Sequence, residues 1–394
     1  MKKKVLALIL VAMTVLAGCG QEAVDSPIID VTPEPVVSVV EPTLTPPPTA
    51  TPEPEKELVL ITDREIVDGK MQSYLTGEWK DAEVVQRRSI AVMMPNNAPA
   101  IPHYGISKAS IIYEAPAEAE TCTRLMAVYE DYDELDRIGP VRSSRDYFVY
   151  EAMAFDSIYV NWGLAVPYVA HLFEDKRIDH ISEAVSGQPN AYSNAFGRVS
   201  RPGYSTEFTG YFYVDKLDDA IKAKKYDTKY SDRDRFVQTF TFADSEVGCR
   251  MEYEEYPDAT KIDPNGEGDV KGGYQEAESY FVYDEKTQLY TRYQHGGVMI
   301  DEYNGEEITV SNIVMKVCYG EERDAKGYLA FGIHGEGDAY VFTNGKVIKA
   351  TWKRPSDYEP NMYYDEDGNE IILNQGKTWI CNIMDKYYKN ITWE

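Results

Sequence analysis

Arg137-Ile138-Gly139-Pro140-Val141-Arg142-Ser143-Ser144-Arg145-Asp146-Tyr147-Phe148 is the stretch that decides how the rest of the chain is read. Gly139-Pro140 breaks the chain after an apolar run. Ser143 and Asp146 fit the S-x-x-[D/E] spacing of a capping box, which predicts a helix start. Phe148, Ala152 and Phe155 recur at i, i+4, i+7, an apolar stripe of helical period. A loop therefore enters a helix spanning about 144–155, with Arg142, Ser143, Ser144 and Arg145 at its mouth. Unpaired N–H groups and partial positive charge at a helix N-terminus, beside two guanidinium groups, make a seat for an anion.

Around this junction, short apolar runs alternate with helical patterns. Ile90 to Met94, Ser110 to Glu114, Thr123 to Tyr129 and Ser157 to Val160 read as strands. Val166, Val169, Ala170 and Phe173 fall on one face of a second helix starting near Pro167. This predicts an α+β or α/β N-terminal domain over residues 57–225. The chain is polar and charged from Tyr226 to Arg235, which marks a boundary. Residues 236–394 then read as a mostly β domain. Its strands lie at Phe281–Tyr283, Leu289-Tyr290, Ile313–Met315, Tyr363-Tyr364 and Ile371–Leu373. Asn344-Gly345 turns a hairpin between Ala339 and Ile348.

The amino terminus sets the compartment. Lys2-Lys3-Lys4, an apolar run from Val5 to Val15 and Leu16-Ala17-Gly18-Cys19 match a lipoprotein signal peptide over residues 1–18, with lipid carried on Cys19. Residues 19–56 form a Pro/Thr/Glu-rich tether expected to be disordered and to reach about 100 Å when extended. The expected location is the outer face of the cell membrane. Cleavage removes three lysines and no acids, leaving 37 Lys+Arg against 66 Asp+Glu, a formal charge of −29. Such a balance argues against a nucleic-acid partner and against electrostatic docking on anionic lipid, so membrane attachment rests on the acyl chain. Any anion site has to be a local basic pocket.

Candidate chemistry is sparse. Arg124, Arg142 and Arg145, with Ser143 and Ser144, either bind a phosphate or carboxylate, or Arg124 and Arg142 pair internally with Glu114 or Glu118. Glu118 and Glu120 would share a face on a strand; with Glu114 they are the weak candidates for an acid–base pair, against a solvated-face reading. His103, His171, His180, His295 and His334 show no metal spacing, and no G-x-S-x-G elbow or cofactor motif is present. The acidic loop Asp263 to Asp269 fails the EF-hand pattern. Cys122, Cys249, Cys318 and Cys381 form either two disulfides, in any of three pairings, or four buried thiols. The 31 tyrosines, with Trp162, Trp352 and Trp379, either stack on sugars and partners or fill sheets.

Arg137 to Arg145, preceded by Tyr113-Glu114, Glu118 and Thr123-Arg124, resembles the YerB-like lipoproteins, Gram-positive surface proteins with two domains of unknown function. Gly345-Lys346, Thr351-Trp352-Lys353, Gly368-Asn369-Glu370 and Gly376-Lys377-Thr378-Trp379 resemble that family's second domain. The likeness covers most of residues 85–385. It departs from the family's Glu-Gly-Gly at Glu118-Ala119-Glu120 and from its His-containing turn at Asn161-Trp162-Gly163. It implies a fold and a compartment but no reaction. The leading expectation is a lipid-anchored module gripping an anionic cell-wall component or an envelope partner. The alternatives are a wall-modifying hydrolase using paired carboxylates, and an envelope protein scaffold.

Overall fold

The apolar runs that carry no polar face must be covered on both sides, and they form the middle of one mixed sheet. The computed structural model describes residues 60–61, 64–234, 240–244, 253–265 and 273–394. The signal peptide, the tether, Cys19, Cys249 and most of the 263–269 loop lie outside them. The sheet contains β1 (Ile90–Pro95), β2 (Ile111–Ala117), β3 (Cys122–Tyr129), β4 (Ile158–Asn161) and β5 (His180–Ser182) from the first half. The second half supplies β6 (Asn312–Cys318), β7 (Gly335–Thr343), β8 (Lys346–Arg354), β9 (Met362–Tyr364) and β10 (Thr378–Met384). Their spatial order is β9-β8-β7-β6-β10-β2-β3-β1-β4-β5. The two halves named by the sequence therefore share one sheet. β10 joins them, pairing in parallel with β6 on one side and with β2 on the other.

Side chains alternate between two buried faces. Ala91, Met93, Tyr113, Met126 and Val128 face a layer containing α1 (Asp146–Met153) and α2 (Val166–Glu174). Val92, Ile112, Leu125 and Trp379 face α3 (Leu217–Lys224) and a second, antiparallel sheet built around Tyr280–Asp284 and Leu289–Gln294. Each large apolar side chain fully buried this way contributes roughly 1.5–3 kcal/mol. The Asn344-Gly345 turn forms as expected, with φ of 53° and 72°, the left-handed pair that a type I′ hairpin needs.

Three local expectations are corrected. The capping box does not form: Arg145 is the N-cap residue without a side-chain cap, and Asp146, the first helical residue, instead accepts two bonds from Arg323 at 2.9 and 3.1 Å. An ion pair with a guanidinium outcompetes a neutral cap for that carboxylate. Ile371–Leu373 makes no strand; only single bridges form there, Tyr364 with Glu370 and Phe242 with Leu373. Two disulfides are also excluded, because Cys122, Cys318 and Cys381 are buried free thiols. Burial pushes the Cys318 thiol up to about 12 and raises Cys381 further, so both are inert. Among the described residues no helix is long and apolar enough to cross a membrane, and no cluster of metal-ligating side chains occurs.

Candidate functional site

The segment Arg142 to Ser144 is held as a rung between two strands. The Arg142 N–H donates to the Met93 carbonyl of β1 at 2.9 Å, and Trp162, at the end of β4, donates its N–H to the Arg142 carbonyl at 3.1 Å. Ser144 donates to the Gly163 carbonyl at 2.8 Å and accepts from the Ala165 N–H at 3.1 Å. Gly163 sits at φ +92°, and a Cβ there would come within 2.5 Å of the Ser143 Oγ, so only glycine allows this close approach.

That clamp divides the arginines between two environments. Arg124 and Arg145 point inward, each 4 % exposed. Both converge on one Glu118 oxygen, Arg124 at 2.6 Å and Arg145 in an even closer ion pair. Arg124 also donates to the Ser143 carbonyl, and Arg145 donates to the Ser144 carbonyl at 2.7 Å. Ser144 is sealed as well, its Oγ 2.9 Å from the Tyr159 hydroxyl. Of the five residues expected to bind an anion, Arg124, Ser144 and Arg145 thus sit in a structural knot, where buried guanidinium groups need a carboxylate.

Arg142 and Ser143 point the other way, into a cavity of about 370 Å³. Trp162, Leu164, Arg198 and Glu207 complete its working wall. Arg142 reaches Glu207 at 2.8 Å and lies 5.4 Å from the centre of the Phe208 ring. Burial, and then the like charge of Arg124, lowers the guanidinium's proton affinity, while Glu207 raises it. Arg198 stacks 4.5 Å over Trp162 and donates to the Thr206 carbonyl and to Thr209 Oγ1, the latter at 3.2 Å. The Ser143 Oγ donates to the Trp162 carbonyl at 3.2 Å. Arg198 and Glu207 were not anticipated: Arg198 is an isolated arginine in a three-residue strand and Glu207 one acid among many, and no local spacing marks either.

The carboxylates do not form a pair. Glu114 is wholly buried, taking bonds from Arg292 at 2.7 Å, Thr123 at 2.7 Å and Trp379 at 3.0 Å. Glu118 and Glu120 lie on a 3-10 turn, not a strand, because Ala119 and Glu120 adopt positive φ. They accordingly diverge: Glu120 binds Lys386 at 2.5 Å and the Tyr387 hydroxyl, away from the arginines.

This mixed sheet, extended by a mostly β second half, is a class of fold that known relatives share. Residues 75–227 match the N-terminal domain, and residues 269–380 the C-terminal domain, of the family described as protein of unknown function (DUF3048). The chain is 28 % identical over 320 residues to the Bacillus subtilis (strain 168) protein YerB, whose name designates it a lipoprotein, covering 80 % of this chain and 87 % of that one. The crystal structure of YerB from Bacillus subtilis superposes with a TM-score of 0.64 at 24 % identity, covering 82 % of this chain and 99 % of that one. The chain belongs to this YerB-like family of two-domain DUF3048 proteins.

Proposed function

We propose that the protein is a lipid-anchored binding module on the outer face of the cell membrane, recognising an anionic component of the cell wall through the Arg142 pocket. The lipoprotein designation of YerB and the sequence around Cys19 support the anchor. The observation that carries the binding role is local. In a chain of formal charge −26, Arg142 and Arg198 line one open, aromatic-walled cavity whose volume falls in the range typical of small-molecule sites. Guanidinium groups backed by aromatic faces hold anions while staying weakly hydrated. The Pro/Thr/Glu-rich segment 19–56 would give the domain its reach.

The test is a pull-down on purified sacculi with the soluble domain lacking the signal peptide. Wild-type protein co-sediments, and the Arg142→Ala/Arg198→Ala variant stays in the supernatant while melting within a few degrees of wild type. Equal sedimentation of the two, or no sedimentation of either, overturns the proposal.

A further inference from the structure

Resting on that reading of the pocket, we infer that the ligand is recognised through a carboxylate, and that Glu207 is the protein's own stand-in for it. Arg142 spends one terminal nitrogen on Glu207, while its buried Nε has no partner. A guanidinium fork is best matched by two oxygens of one planar group, so the fork is under-used as it stands. The Arg142–Glu207 pair sits at the pocket rim, the two side chains being 21 % and 47 % exposed. Pairs this open contribute at most about 1 kcal/mol, so displacing Glu207 costs little.

The turn carrying Glu207 is well anchored without its carboxylate. Phe208 is buried, its N–H bonds the Ser205 carbonyl at 2.9 Å, and Arg198 binds the Thr206 carbonyl. The Glu207 side chain can therefore swing out over a fixed backbone. Charge then distinguishes the ligand classes. Exchanging one carboxylate for another leaves the balance at Arg142 unchanged. A phosphate dianion would bring an extra negative charge beside the displaced Glu207. The second guanidinium in the wall, Arg198, already shares its donors with Thr206 and Thr209 and its face with Trp162, so it does not fully offset that extra charge. Leu164 and the Ser143 hydroxyl remain to receive the body of the ligand.

Four probes titrated by NMR into the millimolar range test this. Glucuronate, glucose and glucose 6-phosphate carry a carboxylate, a hydroxymethyl and a phosphorylated hydroxymethyl group on the same ring carbon, and N-acetyl-D-alanine offers a peptide-type carboxylate. At least one carboxylate binds wild-type protein more tightly than glucose or glucose 6-phosphate does. Which one it is distinguishes a sugar acid from a peptide terminus. Glu207→Gln tightens that binding roughly fivefold, and Arg142→Ala abolishes it. If Arg142→Ala abolishes binding but Glu207→Gln leaves it unchanged or weaker, the stand-in role is wrong and the pocket survives. Tighter binding of glucose 6-phosphate overturns the carboxylate assignment. Failure of every probe to bind either protein overturns the pocket as well.

Discussion

Among the described residues, Glu118 is the one acid ion-paired with both Arg124 and Arg145 in the interior. Glu118→Ala is expected to cost about 2–4 kcal/mol, towards the lower end because the carboxylate is partly exposed, read as a drop in urea midpoint. Arg142→Ala, whose partner lies at the rim, should change the same midpoint by less than about 1 kcal/mol. Neighbouring arginines of one motif would then separate into structural and functional members. The sequence reading reached part of this. It placed the arginines together and offered Glu118 as a partner for Arg124, which the structure confirms. It could not tell which guanidinium turns outward, because that is set by Met93 and Trp162 gripping the Arg142 backbone from two other strands.

The elements with a clear period were legible. The stripe through Phe148 and Ala152 marked α1, and the paired runs around Asn344-Gly345 marked β7 and β8. β10 was missed. Thr378-Trp379-Ile380-Cys381-Asn382-Ile383-Met384 is buried on both faces and so shows no alternation, yet it is the strand on which both halves meet. Trp379 fills the second core and donates to Glu114, so Trp379→Ala is expected to cost about 3–5 kcal/mol in chemical denaturation. A fragment ending at residue 227 leaves the β2 edge unpaired and should be insoluble or unfolded by circular dichroism. The intact chain should unfold in one transition by calorimetry, and two well-separated transitions would contradict the shared sheet.

Acid sensitivity belongs to the whole molecule. Burial lowers His103 to about 4, against an ordinary value of 6.5, and lowers His180, stacked 4.1 Å from Phe173, to about 3. The unfolded chain therefore takes up these protons first, and stability falls as pH drops below about 6.5 towards these folded values. Burial alone would raise the Glu151 carboxyl, but Lys316 and Arg354, with Asn361, hold it below its ordinary value of 4.5. Its stabilising contribution is present above about pH 4.5 and is lost as pH falls through the lower folded value. Urea midpoints measured from about pH 7 to about pH 4 should decline throughout, and His103→Gln should flatten the upper part of that slope.

The position of β10 also bears on biogenesis. Ile111 of β2 pairs with Thr378 of β10, 267 residues later in the chain, so strands made early wait for a neighbour that does not yet exist. Contacts this distant along the chain form slowly, and only after both halves have been made. A nascent polypeptide kept open in this way leaves its first half unclosed until the second half supplies the missing strand.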